Sequence, residues 1–199
     1  MDDLGADAIR LLDKIGVEKA HWVGLSLGGM VGMWLAVHAP DRVDRLALLC
    51  TSAYLPPASM WHQRAAAVRA AGTCAAISES VVGRWFTPDF AARHPDVVAS
   101  FTATLDEVDP DGYATCCEAI AAMDQREHLG RITAATLVIG GAQDLPTPPQ
   151  GHSDVIADAV PGALMVTLSP AAHMASVEQP RPVTALLLDH VTAADGVRR

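Results

Sequence analysis

The stretch His21–Trp34, HWVGLSLGGMVGMW, places a serine between glycines where a short apolar run ends and a longer one begins. The residues before Ser26 are typical of a buried β-strand, and those after Gly28 are typical of a helix that ends at His38. Gly24, Ser26 and Gly28 match the pattern G-x-S-x-G. A serine on such a turn has a strained backbone, so small flanking residues are expected and its hydroxyl projects from the end of the strand.

The composition indicates one soluble domain with a buried core, because half of the 199 residues are hydrophobic and the mean hydropathy is +0.22. The net charge of −9 and the presence of only two lysines, Lys14 and Lys19, argue against a nucleic-acid surface. The chain begins with the acidic run MDDLGADAIR and contains no apolar run of about 20 residues. We therefore expect a cytoplasmic protein without a membrane segment.

Neither the cysteines nor the histidines have the spacing of a metal site. The four cysteines lack CxxC spacing and are expected to be reduced packing residues: Cys50, Cys74, Cys116 and Cys117. Besides His173, seven histidines occur, and none forms an i, i+4 ligand pair with an acid between: His21, His38, His62, His94, His128, His152 and His190. The sequence therefore predicts no metal site.

Strands and helices alternate along most of the chain, which predicts an α/β fold. A helix over residues 4–15 comes first and ends before Gly16. The predicted strands are short and rich in branched residues, with little alternation, as in parallel strands covered on both faces. They are His21–Ser26, Val43–Cys50, Ala135–Gly140 and Ala163–Leu168, and further helices are predicted at Gln150–Ala159 and Ser176–His190.

The segment 56–131 interrupts this alternation with helical runs and no strand. The runs are Ser59–Ala71, Thr73–Arg84, Pro95–Val108 and Asp111–Met123. We predict that this segment is a helical cap inserted over the carboxyl edge of the sheet. The core then has two parts, residues 1–55, which carry the G-x-S-x-G turn, and residues 132–199.

Two residues at later strand ends are candidate partners for Ser26. Asp144 follows the strand ATLVIG, and His173 follows the strand ALMVTL. A serine hydroxyl becomes nucleophilic when a histidine takes its proton and an acid orients that histidine, and the order Ser, Asp, His suits this chemistry. The N–H of Leu27 is the predicted oxyanion donor. The alternatives are an Asx-turn for Asp144 and a loop histidine without chemistry for His173.

This order of residues, in these strand contexts, resembles the α/β-hydrolase family. Further runs resemble the 3-oxoadipate enol-lactonases within that family, across most of the chain. These runs are LALLCTSAYLPP, RAAAVRAAG, VVGRWFTPDF, GYATCCEAIAAMDQR, TLVIGGAQDLPTPP and PAAHMASVEQP. The runs from the cap are the more specific ones, because a cap sets the substrate class and a triad does not.

The resemblance implies hydrolysis of an anionic enol-lactone to 3-oxoadipate in protocatechuate and catechol breakdown, without a cofactor. The substrate carboxylate then needs a cationic or amide partner under the cap. Arg84 and Trp85 are the candidate contacts, and Trp61 is a candidate apolar wall. The alternatives are a solvated arginine and tryptophans that only fill the cap core. A carboxylesterase or a C–C bond hydrolase with the same triad is the neighbouring enzymatic interpretation.

The family carries several strands before the nucleophile strand, and a loop among them supplies the second oxyanion N–H. Here only one predicted helix precedes His21–Ser26, so we expect a fragment or a late-started reading frame of a longer enzyme. The competing interpretation is a short protein impaired by roughly 10² to 10³ in rate. Its exposed strand edge would allow self-association, and the protein would then act only as a binding or assembly module.

Overall fold

The computed structural model describes residues 1–193, and its core is a parallel sheet of four strands. The strands lie in the order β1-β2-β3-β4, so neighbours along the chain are neighbours in space. Their bounds are β1 Ala20–Leu25, β2 Val43–Leu49, β3 Ala135–Gly141 and β4 Leu164–Leu168. The four predicted strands are thereby confirmed to within one residue at each end.

Helices account for most of the remaining chain. The α-helices are α1 Asp2–Lys14, α2 Leu27–His38, α3 Ala58–Ala71, α4 Ser78–Val82, α5 Pro88–Arg93, α6 Pro95–Asp106, α7 Pro110–Ala121, α8 Ser153–Ala159, α9 Ala175–Glu178 and α10 Pro180–Thr192. Short 3₁₀ turns occur at Pro40–Arg42, Cys74–Ala76 and Arg126–Arg131. None of the helices in residues 1–193 is long and apolar enough to span a bilayer.

The helices cover the sheet in two layers. Helices α1, α2 and α8 pack on one face, where Met33, Leu48 and Ile156 belong to the largest buried cluster. Helix α10 packs on the other face, where Val183 lies in one cluster with Leu49. Alternating strands and helices produce this arrangement because each parallel strand needs a crossover helix before the next one.

The prediction that all four strands are covered on both faces is wrong for the two outer strands. Strands β2 and β3 are almost entirely buried. In β1, however, Val23 keeps 48% of its surface exposed, and in β4 Leu164 keeps 61%. Within the described residues β1 pairs only with β2, and β4 only with β3. Edge position, which periodicity does not reveal, accounts for the difference.

Helices α3–α7 lie between β2 and β3, and an isolated bridge between Tyr54 and Asp124 joins the two ends of this segment. The segment has its own apolar cluster around Val82, Phe86 and Leu105. The division into residues 1–55, 56–131 and 132–199 stays a prediction, and residues 194–199 of the last part lie outside the described range.

Three predicted helices are broken or begin at least three residues late in the structure, and the other predicted helix ends lie within about two residues of the observed ones. The run 73–84 is split into a 3₁₀ turn and the five-residue α4. The run 150–159 becomes helical only at Ser153. The run 176–190 breaks at Gln179 into α9 and α10, because a residue that precedes a proline disfavours helical backbone angles. Helix α5, with the side chain of Thr87 as its N-cap, was not predicted.

The four cysteines are free thiols. Burial, and next the negative charge of Asp144, raise the pKa of Cys50 to about 12, so this side chain stays protonated. Among residues 1–193 no group of three or more His, Cys, Asp or Glu side chains is arranged to share a metal ion.

Candidate active site

Ser26 occupies a sharp turn between β1 and α2. Its backbone angles are φ 51° and ψ −116°, a conformation that a residue with a β-carbon rarely adopts. Hydrogen bonds hold this geometry: the N–H of Ser26 donates to the Leu49 carbonyl at 2.9 Å, and the Ser26 carbonyl accepts from Gly29 N at 2.9 Å and from the Thr51 hydroxyl at 2.6 Å. The surrounding structure therefore stabilises a strained serine at the carboxyl end of the sheet.

The glycines around Ser26 are not equivalent. A β-carbon on Gly24 would lie 2.2 Å from the Gly28 carbonyl oxygen, and one on Gly29 would lie 2.7 Å from the Thr51 side chain. A β-carbon on Gly28 would meet no atom within 4 Å. The expectation that both flanking residues must be small is thus confirmed for Gly24 and wrong for Gly28, because α2 directs position 28 away from the strand.

The substitution Gly24→Ala should lower the free energy of unfolding by about 1–3 kcal/mol or more, because the new methyl group overlaps backbone rather than a side chain that can move. The matched control is Gly28→Ala, which should leave the free energy unchanged or raise it by up to about 1 kcal/mol, since alanine favours the helix. Urea unfolding of both variants measures the difference. Equal midpoints would contradict the steric argument.

Asp144 and His173 come together in the loops that follow β3 and β4. The Nδ1 atom of His173 lies 3.0 Å from Asp144 Oδ2 and 3.1 Å from Oδ1. Both residues are buried, with exposed fractions of 3% for Asp144 and 4% for His173. A buried carboxylate at this distance fixes the Nδ1–H tautomer of the imidazole, so Nε2 is left as the proton acceptor.

Thr147, a residue that was not predicted from the sequence, completes the hydrogen bonds of the acid. Its N–H donates to Asp144 Oδ1 at 2.9 Å, and its hydroxyl donates to Oδ2 at 2.8 Å. These two donors satisfy both carboxylate oxygens and orient the side chain of Asp144 toward His173. The signal was present in the run DLPT, since a threonine three residues after an aspartate is typical of a side-chain turn.

Glu178 connects the histidine loop to the helical segment, and it too was missed. Its carboxylate accepts from Thr87 N at 2.8 Å, from the Thr87 hydroxyl at 2.6 Å and from Ala172 N. Close by, Met174 N donates to the carbonyl of Trp85 at 2.9 Å. Ala172 and Met174, the two neighbours of His173 in the chain, therefore both take part in the bonds between this loop and the helical segment. The Trp85 ring lies 6.5 Å from the His173 ring, between centroids.

The remaining predicted site residues lie at different depths. Ser26 is partly exposed, and in residues 1–193 no hydrogen bond joins it to His173. Leu27 starts α2, where the first N–H groups of a helix lack intrahelical acceptors. Trp61 is half-buried, and its indole N–H donates to the Leu55 carbonyl at 2.9 Å. Arg84 is exposed, and within the described residues its guanidinium forms no ion pair.

A second serine–histidine contact lies nearby, but it lacks the features of an activated nucleophile. Ser52 Oγ is 2.8 Å from His152 Nδ1, and the same hydroxyl donates to the Tyr54 carbonyl at 2.6 Å. The Ser52 hydroxyl thus donates its proton to the Tyr54 carbonyl and not to the imidazole. Burial lowers the pKa of His152 and the charge of Asp144 opposes this shift, so the net effect favours the uncharged ring.

Sequence comparison assigns the chain to a family. The sequence model of the alpha/beta hydrolase fold matches residues 1–180. The chain belongs to the α/β-hydrolase family. It is 37% identical over 181 residues to 3-oxoadipate enol-lactonase 2 of Acinetobacter baylyi, an alignment that covers 91% of this chain and 67% of that protein. The chain therefore spans about two thirds of the length of this relative.

Two solved structures of the family superpose closely. A hydrolase from Pseudomonas aeruginosa has a TM-score of 0.90 and 42% sequence identity, over 95% of this chain and 71% of that one. The enol-lactonase from Burkholderia xenovorans has a TM-score of 0.92 and 35% identity, over 96% of this chain and 72% of that one. The resemblance to α/β-hydrolases is thus confirmed, and the fold of the sheet and its helices is that of the family.

Proposed function

We propose that this α/β-hydrolase is a serine-type enol-lactonase in which Ser26, Asp144 and His173 form the catalytic triad. The observation that carries the proposal is the buried Asp144–His173 pair, at 3.0 Å, on the same edge of the sheet as the strained turn at Ser26. Strand ends of an α/β sheet converge at that edge, so three residues distant in sequence can act on one substrate. The similarity to enol-lactonases supports the choice of substrate.

In the first step Ser26 Oγ attacks the carbonyl carbon of the lactone. His173 Nε2 accepts the hydroxyl proton, and Asp144 stabilises the imidazolium through Nδ1–H. The negative charge that develops on the carbonyl oxygen is stabilised by the N–H of Leu27, which the start of α2 leaves without an intrahelical acceptor. Collapse of the intermediate breaks the ring C–O bond and forms an acyl-enzyme.

The leaving group makes this ring opening favourable. An enolate oxygen is a much weaker base than an alkoxide, and it takes the proton from His173 to give an enol that tautomerises to the ketone. The freed imidazole then removes a proton from water, which attacks the acyl-enzyme. Collapse of the second intermediate returns the proton from His173 to Ser26 and releases a carboxylic acid, which ionises to give the dicarboxylate. The two steps together consume one lactone and one water and release one proton.

The substrate class is tested by measuring how fast the purified protein hydrolyses three substrates, one anionic and two uncharged. We expect kcat/KM for 3-oxoadipate enol-lactone to exceed that for γ-butyrolactone and for p-nitrophenyl acetate by at least about 100-fold, because an added ionic contact contributes roughly 1.5–3 kcal/mol and the enol leaving group adds to this. Product formation is followed by chromatography. A preference for the aryl ester would favour the carboxylesterase interpretation and contradict the enol-lactonase proposal.

A further inference from the structure

Arg64 in α3 is a half-buried cation that stacks on an aromatic ring. Its guanidinium carbon lies 4.7 Å from the centre of the Trp61 ring, and no carboxylate within residues 1–193 forms an ion pair with it. Arg69, on the same helix, provides the contrast, because it bonds to Glu118 with two nitrogens and also pairs with Asp111. Among the pairs formed within residues 1–193, acids thus neutralise Arg69 and leave Arg64 unpaired.

A half-buried guanidinium of this kind is suited to bind an anion from outside the protein. Partial burial weakens hydration of the charge, and a paired anion offsets that loss. The Trp61 indole covers one face of the guanidinium, and the Tyr113 hydroxyl bonds to the same group, so both side chains limit its motion. A planar fork of this kind matches the two oxygens of a carboxylate.

The neighbours of Arg64 pack against the two buried clusters of the helical segment α3–α7. Burial raises the pKa of the Tyr113 phenol, and the charge of the adjacent Arg64 acts in the opposite direction. Tyr113 packs against one buried cluster together with Trp61 and against a second together with Trp85. Trp85 in turn lies next to His173. These two clusters therefore connect the surroundings of Arg64 with those of the proposed base.

We propose that Arg64 binds the carboxylate of the substrate, with Trp61 as the surface that orients its guanidinium. The identity of the bound substrate rests on the proposed function. The existence of an anion site at Arg64 does not depend on that function. It replaces Arg84 as the cationic partner, because Arg84 is exposed and no aromatic ring is in contact with its guanidinium within the described part of the chain.

Binding of adipate, a six-carbon dicarboxylate, tests the anion site without any need for turnover. We expect isothermal titration calorimetry to show a dissociation constant at least about 20-fold higher for Arg64→Met than for the unsubstituted chain, since a charged hydrogen-bonded pair is lost. The substitution Arg64→Lys, which keeps the charge but not the fork, should give a smaller increase. The substitutions Arg69→Met and Arg84→Met should each change the constant by less than about twofold.

Kinetics with the lactone and with its methyl ester test the role in catalysis. In Arg64→Met, kcat/KM for the enol-lactone should fall by about the same factor as adipate binding, mainly through KM, while the uncharged methyl ester should be unaffected. If adipate binding depends on Arg64 but no enol-lactone is hydrolysed, the proposed function is wrong and the anion site stands.

Three results would overturn the assignment of Arg64. The first is that Arg64→Met binds adipate as tightly as the unsubstituted chain does. The second is that adipate affinity is lost in Arg84→Met instead. The third is that the unsubstituted chain does not bind adipate. Thermal unfolding of each variant reports whether the fold is intact. If Arg64→Met does not fold, Arg64→Lys decides the question, because it preserves the charge on α3.

Discussion

The substitution Ser26→Ala is expected to lower kcat/KM for the enol-lactone by about 10⁴ to 10⁶, because removal of the nucleophile from a triad abolishes the acyl-enzyme route. Steady-state kinetics measure this loss, and the absence of an initial burst of product confirms that no acyl-enzyme accumulates. Stability should change little, since alanine keeps the β-carbon and since the Ser26 hydroxyl has no hydrogen-bond partner among the described residues.

The matched control is Ser80→Ala on the cap, which removes an exposed hydroxyl bonded to the Ile77 carbonyl. Its kcat/KM should stay within about twofold of the unsubstituted value. A further variant, Ser26→Gly, should be as inactive as Ser26→Ala and more stable by about 1 kcal/mol, because glycine adopts a φ of 51° without strain. Turnover retained in Ser26→Ala would show that another group is the nucleophile.

The substitution Asp144→Asn is expected to lower kcat by about 10⁴ while leaving KM nearly unchanged. An amide in place of the carboxylate can donate to Nδ1, so the imidazole can adopt the tautomer that presents a proton, rather than a lone pair, to Ser26. In the unsubstituted protein the two donors of Thr147 bond to the two carboxylate oxygens of Asp144. In the variant the amide NH2 would face one of these donors. Single-turnover measurements should place the defect in acylation.

The control for this change is Asp158→Asn. Asp158 lies on α8, it is exposed, and no hydrogen bond or ion pair of its carboxylate occurs within residues 1–193. The same loss of one negative charge should therefore alter kcat by less than about twofold. If both variants were equally slow, the effect would come from the net charge of the protein and not from the orientation of His173.

Much of this architecture could be predicted from the sequence, because the relevant information is local. Strand positions follow from apolar runs with turn residues at their ends, and the strained turn follows from Gly24 and Ser26 at fixed spacing. Asp144 and His173 could be paired in advance, since parallel strands bring their carboxyl ends to one edge. The structure places these two residues in direct contact.

The remaining features depend on contacts between residues far apart in the chain. The bond from Thr87 to Glu178 joins positions 91 residues apart, and no periodicity indicates such a pair. Likewise the sequence contains several cap arginines, and only the folded chain distinguishes Arg64, stacked on an indole, from Arg69, which is neutralised by acids. The exposure of Val23 has the same origin, since it depends on which strand lies at the edge of the sheet.

The bonds of Glu178 have a consequence for how substrate and product are exchanged. Moving the helical segment away from the core at Thr87 would break the bonds to the Glu178 carboxylate, each worth about 1.5–3 kcal/mol, and the bond from Met174 to Trp85, worth about 1 kcal/mol. The same motion would release the loop that holds His173, and the base would leave its position in every cycle. We therefore expect this side of the cap to act as a fixed hinge, with opening confined to the side formed by α3 and α7.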